Sequence, residues 1–327
     1  MPGRLVTFAA ITLLCLTLAT TATAAGPQKV ILDTDLGGDI DDAFALALLL
    51  TSPELEILGI TVDHGLTEKR AQVACKLLYE LGLDRIPVAV GRQTPNVVGK
   101  DKSLASRSAQ FYWAEGFSKI KPIQTPAADF IIQTLRKYPH EVILFTIGPV
   151  PNIGDVIQKD PEALKLAKHI YSMYGSFYLG YGNNPVPSAE WNVAADVASG
   201  KLFAASGAPI TYAGLDITTF VTFEEKQRLK LFLRQSPLTN ALSGLYTLWS
   251  NETGNETPVL FDVVAIAMAI WPELFQTRPA HVRVIDGGYT LIDESKPPNC
   301  EIGLSVNKDE LLKRFLKRLL QHNLQRQ

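Results

Sequence analysis

The stretch ILDTDLGGDIDDAFALALLL, residues 31–50, sets five aspartates between two apolar runs: Asp33, Asp35, Asp39, Asp41 and Asp42. The first run belongs to KVILDTD (29–35), whose unbroken apolar character predicts a strand covered on both faces. Asp33 and Asp35 end it, and strand alternation puts them on the same side. Gly37 and Gly38 let the backbone turn sharply. Asp41 and Asp42 then open an apolar helix, where the macrodipole favours negative charge. Strand, glycine turn and helix together make the first half of a parallel βαβ unit.

Outward from this point the pattern repeats. LEILGITVD, IPVAV, EVILFTIG, HIYSMYG and APITYAG read as further buried strands. Amphipathic stretches at 41–51, 67–82, 126–138, 149–168 and 189–205 read as helices between them. The fold class expected is α/β: an open, mostly parallel Rossmann-like sheet with helices on both faces. In such sheets ligands sit beyond the carboxyl ends of the strands, where the aspartates lie. Residues 222–276 read mainly as helices, HVRVIDGGYTLID and EIGLSV as strands, and 307–322 as a terminal helix. The basic residues of that helix, Lys313, Arg314, Lys317 and Arg318, fit a solvated face. Residues 93–125 lack periodicity. Their QFYWAEGF aromatics either cap a pocket or pack on the surface.

The 327 residues carry 31 basic and 33 acidic side chains, a formal charge of −2. No basic surplus points to nucleic acid or to an anionic membrane, so the expected partner is a small molecule. Residues 1–25 read as a signal peptide: Arg4, the apolar LVTFAAITLLCLTLA, then small residues up to Ala24 and Ala25. A retained single-pass anchor is the alternative, against which the run is short. Removal takes one Arg and no acid, leaving a charge of about −3. The expectation is a secreted or periplasmic protein, free of the membrane after cleavage, with residues 26–327 as one domain. Cys75 and Cys300 remain, to be paired or to be buried free thiols. Asn251 and Asn255 head two Asn-x-Thr sequons.

Helix capping explains one of Asp41 and Asp42. It does not explain four carboxylates converging on a tight turn, where they repel and some must stay protonated. A hard divalent cation removes the repulsion, and all-oxygen ligation suits Ca2+ or Mg2+.

DTDLGGDIDDA (33–43) resembles the metal-site signature of the inosine-uridine preferring nucleoside hydrolase family, with two extra residues before the Asp-Asp pair. ILFTIGPVPNI (143–153), MYGSFYLGYGNNPVPSAEWNVAADVASG (173–200) and LFDVVAIAMAIWPELF (260–275) resemble its later segments, in the right order. The likeness runs from about residue 28 to the C-terminus. It implies a bound Ca2+ and hydrolysis of the N-glycosidic bond of ribonucleosides. Position by position, it implies Asp35, Asp42 and Asp262 as side-chain metal ligands and the carbonyl of Ile147 as another, with Thr146 the one-off alternative. Asp33 would support the metal loop. Asp41, Asn184, Glu190 and Asn192 would surround the ribose, and Asp35 would also be the general base. Related enzymes are commonly homodimers or homotetramers.

Residue by residue, plainer roles compete. Asn184 beside Gly and Pro suits a turn, Glu190 and Asn192 suit a helix cap, and Trp191 suits packing. Two positions depart from the family pattern. Phe261 stands where inosine-uridine members have a His that protonates the leaving base. Leu66 in DHGLTE falls at the place of an Asn. His64 is a candidate acid or a structural histidine, and Tyr246 and Trp249 are candidates to line a base pocket. Two other classes remain open: a calcium-dependent nucleoside- or sugar-binding protein without turnover, and a phosphohydrolase with Asp33 as nucleophile.

Overall fold

The computed structural model describes residue 3 and residues 26–95, 97–98 and 108–326. Apart from Gly3, the expected leader lies outside the described residues. So does part of the aperiodic stretch, at 96 and 99–107.

The opening strand, β1 (Gln28–Thr34), is followed by helix α1 (Asp41–Leu50), β2 (Leu55–Val62), α2 (Thr67–Glu80) and β3 (Val88–Val90). Next come a short helix α3 (Gln110–Trp113), α4 (Ala127–Lys137), β4 (Ile143–Thr146), α5 (Pro151–Lys159) and β5 (His169–Ser172). Then follow α6 (Trp191–Ala195), α7 (Val197–Ala204), β6 (Ile210–Tyr212), α8 (Leu215–Thr218), α9 (Glu225–Phe232), α10 (Pro237–Thr253) and α11 (Phe261–Ile270). The chain closes with β7 (Phe275–Ala280), the hairpin β8 (Val282–Ile285) and β9 (Tyr289–Ile292), β10 (Cys300–Val306) and α12 (Lys308–Gln321).

Eight strands form one sheet in the order β3-β2-β1-β4-β5-β6-β10-β7, parallel except for the β10–β7 pair. β1 is central because its apolar residues bury on both faces. Val30 and Leu32 enter one core with α1, α2, α11 and α12, and Ile31 enters the other with α4, α5 and α7. From β1 the chain runs outward through β2 and β3, then returns to β4 on β1's other side. That reversal is the switch point at which an open α/β sheet leaves a crevice.

All ten residues of α1 are buried. A helix apolar on every side needs cover all round; it lies between the sheet and α11, which is also mostly buried. The α/β reading of the sequence therefore holds. Its 149–168 helix is α5 plus a 3-10 turn at Ala163–Leu166, and its 189–205 helix breaks at Asp196 into α6 and α7.

The basic face of α12 is largely partnered. Arg318 makes two bonds to Glu54, at 2.7 and 2.8 Å, and Arg314 pairs with Glu310 and Glu273. Cys75 and Cys300 are both buried free thiols, in the two cores on opposite faces of the sheet, and burial pushes each up to about 12. Among the described residues, no helix is long and apolar enough to cross a membrane.

Candidate active site

α1 and α11 pack with their first turns together, and each begins with acid. Asp41, Asp42 and Asp262 each offer a carboxylate oxygen, all within 4.8 Å of one another and all buried. The amide of Asp262 donates to Oδ2 of Asp41 at 3.4 Å, and Thr34 Oγ1 donates to Oδ1 of Asp42. Burial, then repulsion from neighbouring aspartates that include Asp35 and Asp39, holds all three carboxyls well above the usual carboxylate range. Three buried acids at this spacing match the oxygen donor set of a hard divalent cation, whose charge offsets their repulsion. Sequence reasoning assigned Asp41 to ribose; the structure sets it inside this tight group.

Asp35 lines the same cavity but stands outside the triad. Its Oδ2 is 3.5 Å from Nη2 of the buried Arg70. Asp33 is fully buried and does not reach the cavity. Its Oδ1 accepts from Thr61 Oγ1 and, at 2.7 Å, from Asn152 Nδ2, so it ties β1 to β2 and α5. Its carboxylate thus faces the β2 and α5 side and not the cavity. Asp63, at the end of β2, is its buried neighbour. Burial pushes Asp33 up to about 6, and burial with the Asp33 charge pushes Asp63 well up.

A cavity of about 460 Å3 opens above these groups. That is within the range of small-ligand sites. Its floor is Asp35, Asp41, Asp42, Asp262 and Ile147; its walls include Glu190, Asn192, Tyr181, Trp191, Trp249 and Phe261. The carbonyl of Ile147 accepts from Asn192 Nδ2 at 3.2 Å, which leaves the amide oxygen of Asn192 free of that bond. Glu190 is the N-cap of α6: its carboxylate accepts from the amides of Asn192, Val193 and Gly175. Burial lifts it to about 7 against those three bonds. Glu190 thus caps the helix and lines the cavity at once.

The chain matches the model of the inosine-uridine preferring nucleoside hydrolase family over residues 30–313. It belongs to this family. The non-specific ribonucleoside hydrolase RihC of Escherichia coli O127:H6 is 32% identical, covering 85% of this chain and 93% of that protein. Uridine nucleosidase 1 of Arabidopsis thaliana is 31% identical, covering 82% of each. The solved structure of the plant nucleoside hydrolase PpNRh1 aligns with a TM-score of 0.78 at 27% identity, over 90% of this chain and 100% of that one. The enzyme class is ribonucleoside hydrolase, an N-glycosidase.

Within this nucleoside hydrolase several expected residues are displaced. Asn184 is exposed and does not line the cavity: its Oδ1 accepts from the Val186 amide in a turn that Pro185 and Pro187 stiffen. Tyr181, three residues earlier, lines it instead, edge-on to Phe261 at 6.1 Å. Trp191, expected to be packing, is 38% exposed on the wall. Trp249 lines the cavity while Tyr246 turns away and donates to the Glu256 carbonyl at 2.7 Å. His64 is buried outside the cavity, its Nδ1 2.9 Å from Thr94 Oγ1, so it is not placed as an acid.

The QFYWAEGF aromatics do not cap the pocket. Phe111 packs under Gly37 (φ +93°), where a Cβ would lie 2.9 Å from its ring, and Gln110 Nε2 donates to the carbonyls of Gly38 and Asp39. The segment clamps the aspartate loop, and among the described residues of the aperiodic stretch Ser108, just before it, lines the cavity.

Sequence reasoning missed Arg70, Asp63 and Tyr181. Arg70 had a readable signal. It falls on the buried stripe of α2 with Thr67, Ala71, Ala74 and Leu77, where a charge requires a partner.

Proposed function

We propose that this chain hydrolyses ribonucleosides to free base and ribose with Ca2+ as its resident metal. The observation that carries the metal is the buried Asp41–Asp42–Asp262 group at the floor of a nucleoside-sized cavity. Asp42, Asp262, the Ile147 carbonyl and Asp35 are the groups that would hold it, with Asp41 adjacent. When bound, the cation supplies Lewis acidity and lowers the pKa of water beside it.

The chain's own residues do the rest. Asp35 accepts a proton from water as its oxygen bonds to the anomeric carbon. The C–N bond breaks, and its electron pair leaves with the base. Positive charge grows on the ribose, and the carboxylates beneath it with the Asn192 amide oxygen stabilise that charge. Asp41 and Glu190 read the ribose hydroxyls. A substrate lacking one leaves a buried partner unpaired. Phe261 has no proton to give. Tyr181, Trp249 and Phe261 instead offer aromatic faces and edges to the base.

Residues 26–327 would act as one catalytic domain. The leader-like N-terminus supports a secreted or periplasmic setting for nucleoside scavenging. A reducing-sugar assay with inosine, adenosine, guanosine, uridine and cytidine tests the reading. Ribose release by wild type and none by Asp35→Ala is the expected result. No release by folded, calcium-replete wild type would favour binding without turnover, the reading to which Phe261 points.

A further inference from the structure

Among the described residues that line the cavity, Arg70 is the only basic one. It is 2% exposed, and each part of its guanidinium has a fixed place. Nε donates to the His64 carbonyl at 2.7 Å, and Nη1 donates to the Leu36 carbonyl at 3.1 Å. Nη2 faces Asp35 Oδ2 at 3.5 Å, and the group lies 6.0 Å from the Phe111 ring centre. Arg70 therefore joins the loop after β2 to the loop after β1 and ends on Asp35.

The two oxygens of Asp35 are held in different surroundings. The backbone at Gly38 runs alongside this contact: a Cβ there would lie 3.4 Å from both Asp35 Oδ2 and Arg70 Nη1. A side chain at Gly148 would lie 2.9 Å from Asp35 Oδ1, so that oxygen lies against the turn after β4, next to Ile147. A buried positive charge beside a cation site also works against the cation by simple repulsion. A group kept there against that repulsion is doing something other than strengthening metal binding.

We propose that Arg70 is a positioning residue: it holds Oδ2 of Asp35, fixing the rotation of the carboxylate that the hydrolysis uses, and weakens cation binding as a consequence. This rests on the calcium-dependent hydrolase reading for its effect on turnover, but not for its effect on the cation. The two effects have opposite signs. Asp35 is also one of the groups that would hold the ion, through Oδ1, which the turn at Gly148 keeps beside Ile147 whatever stands at position 70. Replacing Arg70 should therefore tighten Ca2+ and slow the reaction, whereas a residue that only braced the loops would lose both together.

The test uses the full chain as wild type, Arg70→Met and Arg70→Lys, with Ca2+ titrated calorimetrically after chelation and kcat and KM measured on a nucleoside. Arg70→Met should bind Ca2+ at least about threefold tighter, from the lost like charge. Its kcat should fall by about 10- to 100-fold with KM within about twofold, the mark of a misoriented group. Arg70→Lys should return Ca2+ affinity to the wild-type value and recover part of kcat. Weaker Ca2+ binding in Arg70→Met, or an unchanged kcat, overturns the assignment. If Arg70→Met does not fold, Arg70→Lys decides: lowered kcat at wild-type affinity supports it, and unchanged kcat overturns it. If wild type binds Ca2+ yet releases no ribose from any nucleoside, the hydrolase reading falls. The calcium titration then still judges the contact, tighter in Arg70→Met supporting it and weaker overturning it.

Discussion

The amide of Asp262 donates to the carboxylate of Asp41 across the contact between two helices, 221 positions apart in the chain. The bond pins the first turn of α11 to the first turn of α1 and brings a third acid to a pair that already repels. Without a cation this arrangement costs stability. Asp262→Asn should therefore raise the melting temperature of the chelated protein by about 2 °C or more. The same change should abolish the rise that Ca2+ gives wild type. Thermal unfolding in EGTA and in Ca2+ measures both.

Acidity should act in the same sense. Asp41, Asp42, Asp63 and Asp262 are raised well above ordinary carboxylates, Asp33 to about 6 and Glu190 to about 7, each chiefly by burial. The folded state then binds more protons than the unfolded one, so stability falls as pH rises. The loss should begin above about pH 4, the unfolded carboxylate value. It should continue past pH 7. Urea midpoints in EGTA should be higher at pH 5 than at pH 8, and saturating Ca2+ should flatten the slope.

Glu190 offers its carboxylate to three backbone amides. Glu190→Ala leaves them buried without an acceptor and should cost about 2–4 kcal/mol. Glu190→Gln keeps one oxygen and should cost less. Urea denaturation gives both values, and a fall in kcat/KM exceeding the loss of folded protein would add a contact with ribose to the cap.

Trp249 faces the cavity and Tyr246 does not. Trp249→Ala should raise KM for nucleosides by about tenfold, the worth of one aromatic contact with the base. Tyr246→Phe should leave KM unchanged and lower stability by about 1 kcal/mol, from the lost bond to Glu256. Steady-state kinetics on the two variants separates them.

The sheet was legible where apolar residues cluster, and half-exposed β10 was still read from EIGLSV. Six of its parallel strands are apolar runs, and β1 betrays itself by lacking alternation. β7 was not legible: it is an edge strand with Arg278 and Pro279 in it, and half-exposed strands carry a weak apolar signal. The aspartates at the start of α1 were legible because five acids between two apolar runs are conspicuous; Asp262, a single acid before an apolar helix, was singled out only through the family resemblance. Asn184 misled, since motif spacing places a backbone but does not say which way a turn directs its side chains. Arg70 and Asp63 escaped because their partners lie on other loops. Only the sheet register, which sets Asp33 opposite Thr61 and brings the β1 and β2 ends together, reveals them.

The two thiols offer an unplanned use. One cysteine lies in each core, shielded from solvent by a different set of helices. Cys75 lies on α2 at the edge of a cavity, so alkylating reagent should reach it when α2 shifts at that cavity, and Cys300 when the opposite layer opens. Labelling rates compared at the two sites would thus time the loosening of each half of the molecule separately, with no engineered probe.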